Sequence, residues 1–470
     1  MTMKTPFIAE ALDVIDIDQK GRGVARHGEV VVFIEHAIPG DIVDARVFKK
    51  KSSFWEAAVQ NIVKPSEFRT QPQCQHFGTC GGCKWQHFDY KGQLLYKAKS
   101  VTSAFQRIGG LTFPEPLPIL PSDTEFHYRN KLDFSFSARA WVPRAELPID
   151  GVAPDSPALG FHLAGVFDKV LPISECLLMP NIVNDIRNEV RNFTILNAWP
   201  YFHLKTQAGW LRNLVVRMSE SSGEIMVMLM VTAPLKDAID AIFDNLKQKF
   251  PQISSFIWYV NDKRNDSYSD LKWHVWGESK PYIIEKLGKW QFYVSPNSFF
   301  QTNSKQANAL YQKVYEAIGD KVDTLYDLYC GAGSISIFVS DKAQKIVGLE
   351  FIRDAVADAR KNADLNGLSH LEFFAGDIRK MLNEEFVTMH GQPDVVITDP
   401  PRAGMEPAVV EQLLAIAPKK IIYVSCNPAS QARDISLMKD HYTIESVQPV
   451  DMFPQTTHVE NITVLIRNSD

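Results

Sequence analysis

The chain has 470 residues, too many for one hydrophobic core, and at 45% hydrophobic and 22% charged residues it has an ordinary globular composition. A formal net charge of -5 excludes a binder that holds nucleic acid through bulk positive charge, so any RNA contact must come from local patches. No apolar run approaches the roughly 18 residues of a membrane span, and the acidic start, with Glu10, Asp13, Asp16 and Asp18, is not a secretory leader.

A cytoplasmic protein without membrane attachment, working as a monomer, is therefore expected. In a reducing compartment its six cysteines, Cys74, Cys80, Cys83, Cys176, Cys330 and Cys426, read as ligands or nucleophiles rather than disulfides.

Residues 8–65 alternate short apolar runs with turns such as Gly21-Arg22-Gly23 and Pro39-Gly40-Asp41. Four or five strands at this spacing predict a small barrel of the oligonucleotide-binding kind. Lys49, Lys50 and Lys51 beside Phe54 and Trp55 mix positive charge with aromatic faces, which suits RNA but equally suits a solvated basic loop beside two core rings. The segment resembles the TRAM domain, an RNA-binding barrel, in G-R-G-V-A-R from Gly21, V-V-V-F from Val30 and P-G-D from Pro39.

Cys74-x5-Cys80-Gly81-Gly82-Cys83 puts two thiols on a glycine turn with a third nearby, a spacing that can wrap a soft metal centre. Cys176 is the only spare thiol before the second half of the chain. Four thiolates suit zinc and an iron–sulfur cluster alike.

From residue 90 to 108, Leu94, Leu95, Ala98, Val101, Ala104, Phe105 and Ile108 recur every three to four positions until Gly109 and Gly110, predicting an amphipathic helix. Pro114, Pro116, Pro118 and Pro121 then read as a linker. Residues 125–290 predict an α+β domain, with strands over 131–137, 158–167, 214–218 and 225–232 and a helix over 236–250. Its basic pieces, from Tyr128 to Lys131 and from Leu211 to Arg217, read as surface strands with salt bridges.

Past residue 290 a helix over 304–318 leads into strands over 324–328, 346–350, 371–375, 395–398, 421–425, 443–448 and 462–466, alternating with helices over 352–366 and 408–417. That is the pattern of a doubly wound, Rossmann-like sheet. Asp327-Leu328-Tyr329-Cys330-Gly331-Ala332-Gly333 follows its first strand, where glycines let backbone approach a ligand at a helix start. Asp327 would repel a pyrophosphate, so a cationic or neutral cofactor fits better. Glu350 closes the second strand and can accept both ribose hydroxyls; Asp377, after the third, can accept an adenine amine. The cofactor implied is S-adenosylmethionine, and Cys330 inside the loop reads as structural. Asp399-Pro400-Pro401 ends the fourth strand, but Arg402 stands where enzymes that methylate exocyclic amines carry an aromatic ring.

Cys426 closes the fifth strand, stopped by Asn427-Pro428. Carbon 5 of uracil is too weak a nucleophile to take a methyl group from a sulfonium, but a thiolate adding at carbon 6 gives carbon 5 carbanion character. The proton left on carbon 5 then needs a base, for which Glu460 is the candidate and His458 the alternative. A helix start after Pro428 is expected to lower the Cys426 pKa.

D-L-Y-C-G-A-G, S-F-F-Q-T-N, T-D-P-P-R-A-G, V-S-C-N-P and H-V-E together resemble the RNA 5-methyluridine methyltransferases. The resemblance implies Cys426 as nucleophile and Glu460 as base, with Gln301, Tyr329, Ser334, Glu350, Asp377 and Asp399 contacting S-adenosylmethionine. The barrel together with Cys74, Cys80, Cys83 and Cys176 resembles the branch acting on 23S ribosomal RNA, which implies a [4Fe-4S] cluster on those four thiols. It further implies a multidomain α/β chain: a TRAM-like barrel over 1–67, a central α+β domain over 68–290 and a methyltransferase domain over 291–470, onto which the helix 91–109 packs. The stretch around 138–157 is longer than the family pattern. A transfer-RNA uracil-5 enzyme, a cytosine-5 or amine methyltransferase, and a non-catalytic RNA-binding iron–sulfur protein are the rival readings.

Overall fold

The computed structural model describes residues 7–142, 156–163 and 166–468; most of the long stretch around 138–157 lies outside them. Five strands, β1 (Phe7–Ile17), β2 (Gly23–His27), β3 (Val30–Glu35), β4 (Ile42–Lys50) and β5 (Phe54–Lys64), close a barrel in the order β1-β2-β3-β5-β4. Alternate residues Val32, Ile34, Val43, Ala45 and Val47 fill its interior. The lysines of the β4–β5 turn fold back onto its own rings: the Lys50 ammonium lies 3.9 Å from the Phe7 centroid and 4.2 Å from that of Trp55, and Lys51 lies 5.1 Å from Phe54. These cations thus already cover ring faces that the sequence suggested for stacked bases.

The helix α1 (Tyr90–Ala104) starts at Asp89, whose carboxylate caps the Gly92 amide at 2.7 Å, and runs into a π turn, Phe105–Gly109. Its buried side follows the apolar spacing at Val101, Ala104 and Phe105 but not throughout. Leu95 and Ile108 are about half exposed, while Gln93 and Lys97 are fully buried. The Pro-rich stretch is not a free linker, because Leu117 and Leu120 donate backbone hydrogen bonds to Val447 and Pro449 of the last domain.

Among the described residues the central domain has β6 (Lys131–Ser137), β7 (Ala158–Leu163), β8 (Val166–Pro172), α2 (Asn181–Leu196), β9 (Leu211–Met218), β10 (Ile225–Val231), α3 (Lys236–Lys249), β11 (Ile253–Val260) and β12 (Trp273–Val275). Its sheet runs β12-β11-β10-β9-β6-β7-β8. Val227, Leu229 and Val231 of β10 pack with α2 and α3, whereas Met226, Met228 and Met230 share a core with the last domain. The unbroken apolar run 225–231 is therefore a strand buried on both faces. The basic strand β9 departs from its predicted surface role. Arg212 and Arg217 are 2% and 4% exposed, and Arg217 donates to the Ser295 and Ser298 carbonyls at 3.0 Å each, tying this sheet to the S-P-N-S-F-F-Q-T-N loop.

A hairpin, β13 (Ile283–Leu287) and β14 (Trp290–Val294), precedes the last domain. There α4 (Ser304–Ile318), β15 (Val322–Leu328), α5 (Ser334–Phe338), β16 (Ala343–Glu350), α6 (Arg353–Leu365), β17 (Leu371–Ala375), α7 (Ile378–Met381), α8 (Glu384–His390), β18 (Val395–Thr398), α9 (Pro407–Ile416), β19 (Lys420–Ser425), α10 (Pro428–Ser436), β20 (Tyr442–Val450) and β21 (Glu460–Arg467) alternate. The sheet order is β17-β16-β15-β18-β19-β21-β20, parallel except for β21, which runs antiparallel to both of its neighbours. This is a Rossmann-like α/β domain, and its order reverses beside β15, where an open parallel sheet leaves a ligand crevice. Val101, Ala104 and Phe105 of α1 and its π turn pack into this domain's core with Tyr423 and Ile435. Among the described residues, no helix is long and apolar enough to cross a membrane.

Candidate active site

The crevice outside β15, β16 and β18 is built on strained backbone and unpaired carboxylate. Tyr329 takes a left-handed φ of +63°, and Gly331 and Gly333 follow at +55° and +78°, which folds the loop tightly before α5. Glu350 at the end of β16 accepts the Gly331 amide at 3.1 Å and the Ile352 amide at 2.8 Å, leaving lone pairs on both oxygens for hydroxyl donors. Ser334 meets Tyr311 of α4, hydroxyl to hydroxyl at 3.0 Å. Gln301 is 9% exposed, and its carbonyl accepts the Asn130 side chain at 2.8 Å. Asp377 stands just after β17 as expected, and its carboxylate is gripped by Arg379 at 2.8 and 2.6 Å, so an adenine amine would have to share it.

Asp327 is the residue that sequence reasoning left out of the cofactor set. It is fully buried; one oxygen accepts the backbone amide and hydroxyl of Ser336, and the other has no partner. Burial pushes its carboxyl up to about 7; burial together with the charge of Asp327 pushes Asp399 up to about 7 as well. An orphaned oxygen among mutually repelling carboxyls asks for a cation, and the sulfonium and ammonium groups of S-adenosylmethionine fit that demand.

Cys426 and Glu460 are brought together by strand register. β19 pairs with β21 antiparallel, Ser425 opposite Asn461, so one step further along sets Cys426 against Glu460. Burial and the neighbouring charge of Asp399 raise the Glu460 carboxyl to about 8. The Cys426 thiol is not lowered by the helix after Pro428: burial, then Glu460 and Asp399, push it up to about 11. His458 is held neutral, down to about 4, by burial and by Arg402, whose guanidinium nitrogen is 3.4 Å from the ring. The Arg402 carbonyl accepts the Asn427 and Ser430 side chains at 2.9 and 3.1 Å, locking the D-P-P-R turn to the C-N-P turn.

These carboxyls make stability pH-dependent in a defined sense. In the unfolded chain Asp327, Asp399 and Glu460 titrate near 3.8, 3.8 and 4.5, but in the fold near 7, 7 and 8, so the folded state holds their protons longer and stability falls as pH rises towards 8. His87 and His458, depressed to about 3 and 4, act oppositely below pH 6.5. The ligand-free protein should therefore melt at lower temperature at pH 8 than at pH 6.5, and saturating S-adenosylmethionine should shrink that difference; thermal melts across the range check both.

The four remaining candidate ligands, Cys74, Cys80, Cys83 and Cys176, line one cleft of about 1210 Å³ that reaches from Arg22 of the barrel to His458. Burial pushes Cys83 up to about 12 and Cys176 to about 11, and each of these two thiols also senses Cys74 and Cys80. The Gly82 amide points at the Cys80 sulfur at 3.5 Å. Among the described residues no group of three or more His, Cys, Asp or Glu side chains stands at metal-binding geometry. The four thiols are soft donors of the kind a metal centre takes, and they line this cleft without standing at ligand geometry.

A family model for tRNA (uracil-5-)-methyltransferase matches residues 217–468, and one for the TRAM domain matches residues 12–59. The chain belongs to the tRNA (uracil-5-)-methyltransferase family. It is 43% identical to an uncharacterized RNA methyltransferase of Bacteroides thetaiotaomicron over 95% of this chain and 99% of that one. A second such methyltransferase, of Porphyromonas gingivalis, is 41% identical over 98% and 100%. Among solved structures, the Pyrococcus abyssi tRNA (uracil-54, C5)-methyltransferase in complex with S-adenosyl-L-homocysteine superposes with a TM-score of 0.74, at 27% identity, over 98% of this chain and 100% of that one. This uracil-5-methyltransferase is thus an S-adenosylmethionine-dependent enzyme acting on RNA.

Proposed function

We propose that the enzyme methylates carbon 5 of uridine through a covalent adduct on Cys426, with Glu460 as the base. The observation that carries this is the β19–β21 register, whose last pair, Ser425 opposite Asn461, is followed by Cys426 and preceded by Glu460, a buried carboxyl whose charge the thiol senses. S-adenosylmethionine, when bound, supplies an electrophilic methyl group; Asp327, Glu350, Asp399, Tyr329, Ser334 and Gln301 hold it, with Asp377 at the adenine end. Cys426, as thiolate with its proton released to solvent, would add to carbon 6 of a uracil taken out of its stack; carbon 5 would then take the methyl group, the donor's sulfur–methyl bond breaking to leave S-adenosylhomocysteine. Glu460 then accepts the carbon 5 proton, the carbon–sulfur bond breaks, the ring double bond returns and Cys426 leaves as thiolate. A thiol near 11 needs positive charge beside it to ionise, which the sulfonium of a bound S-adenosylmethionine would supply.

The RNA we assign is 23S ribosomal RNA, on the strength of the barrel and the four-cysteine set. Transfer RNA is the second reading, favoured by the uracil-54 specificity of the Pyrococcus abyssi relative, which has the same extent. Mass mapping of 5-methyluridine in ribosomal and transfer RNA from cells lacking the protein decides: loss confined to transfer RNA overturns the ribosomal assignment.

Cys74, Cys80, Cys83 and Cys176 would hold a [4Fe-4S] cluster. Anaerobically purified protein is expected to be brown with about four irons per chain, and Cys83→Ser to lose both colour and iron. A colourless zinc-loaded protein rejects the cluster.

A further inference from the structure

The strands β20 and β21 end together, Val450 opposite Glu460, and the loop 451–459 between them carries His458 and leads straight into the proposed base. The rest of the protein converges on that loop. Lys97 of α1, itself 0% exposed, donates to the Asp451 carboxylate at 2.6 Å and to the Phe453 carbonyl at 3.0 Å. Gln93, one turn earlier, exchanges two hydrogen bonds with Gln455: its Nε2 donates to the Gln455 side chain at 3.0 Å and its Oε1 accepts the Gln455 amide at 2.9 Å. The Gln455 carbonyl accepts the amides of Lys84 and Trp85, the two residues after Cys83, at 2.8 and 3.1 Å. Tyr128 of the central domain donates to the Pro454 carbonyl at 2.9 Å.

Burying a lysine and a glutamine on the inner side of a helix, where Leu95 and Ile108 are left outside, gives up hydrophobic burial. Core packing alone does not account for that exchange; a requirement for one fixed geometry of the loop does. Gln455 itself sits at φ +67°, a conformation that only its surroundings enforce.

We infer that Lys97, Asp451, Gln93 and Gln455 are positioning residues that hold the β20–β21 hairpin so that Glu460 faces the substrate bound to Cys426. The inference rests on Glu460 being the base. None of the four has to touch RNA or cofactor for this. Their loss should spare the addition and methyl-transfer steps, which use Cys426 and the crevice, and slow the step that moves the carbon 5 proton to Glu460 and releases the sulfur. The consequence is a distinctive species, enzyme covalently joined to RNA that already carries the new methyl group.

The test uses the full-length protein, total RNA from cells lacking it, and S-adenosylmethionine labelled in the methyl group. Lys97→Met/Asp451→Asn removes both charges at nearly constant volume, which avoids leaving a lone buried ion, and Gln93→Leu probes the second contact independently. Each is expected to turn over about 10- to 100-fold more slowly, the effect of displacing a catalytic group by about an ångström, and to accumulate labelled protein–RNA adduct that survives a denaturing gel. Wild-type turnover without extra adduct in both variants overturns the proposal, as does loss of adduct formation together with loss of cofactor binding, which would mark a merely structural role. Glu460→Gln separates the two readings. If it turns over normally, the base assignment fails; if it accumulates adduct while the other variants do not, only the positioning role fails.

Discussion

Cys426→Ala is expected to abolish methyl transfer to RNA, by on the order of 10⁴-fold or more, while leaving the fold and cofactor binding intact. The size of the loss follows from the chemistry. Without a sulfur on carbon 6, carbon 5 has no carbanion character, so nothing else in the crevice can replace the missing step. The thiol is half-buried at the end of β19 and contributes little packing, so melting temperature should barely change. A companion measurement uses RNA made with 5-fluorouridine. Fluorine at carbon 5 cannot leave as a proton does, so wild-type enzyme should be trapped as a covalent adduct and Cys426→Ala should not. A variant that still methylates at the normal rate ends the covalent reading.

Glu460→Gln is expected to lower turnover by about 10²- to 10⁴-fold, the usual contribution of a general base, while permitting a first round of addition and methyl transfer. Labelled enzyme–RNA adduct should therefore appear on denaturing gels in proportion to enzyme. The pH dependence has a definite sign. The step Glu460 serves follows methyl transfer, so the dependence belongs to kcat: Glu460 works only when ionised, burial and Asp399 raise its carboxyl to about 8, and kcat should rise with pH up to about 8. In the glutamine variant that limb should flatten. A falling profile over pH 6 to 8 would show that a protonated group is the one required. His458 is a poor substitute: depressed to about 4 it is a weak proton acceptor, and Arg402 stands 3.4 Å from its ring nitrogen.

Much of this site was legible in the chain itself because the signals are local. Asn427-Pro428 ends β19 directly after Cys426, and the paired glycines end the first turn after β15. Glu350 and Asp377 follow their strands as the alternating pattern of strands and helices requires. Other features depended on partners hundreds of residues away. Nothing near Lys97 announces Asp451, and nothing near Arg217 announces the carbonyls of Ser295 and Ser298. Periodicity counted Leu95 and Ile108 with Val101, Ala104 and Phe105 in the buried stripe of α1; the last three are buried, but polar partners on the 451–455 loop bring Gln93 and Lys97 inside while Leu95 and Ile108 stay out.

The charge states show the same division. A helix start after Cys426 is visible in sequence, and taken alone it favours a thiolate. The desolvation and the facing carboxylates of Glu460 and Asp399, which win and raise the thiol, exist only once β18, β19 and β21 lie side by side. The sequence by itself determined which reacting groups the protein has, which strand ends carry them and which family it joins, since strand ends and motif spacings are short-range properties. Only the tertiary structure decided which carboxyls keep their protons, which cations are buried and how the base hairpin is held, because desolvation and long-range pairing are properties of the assembled core.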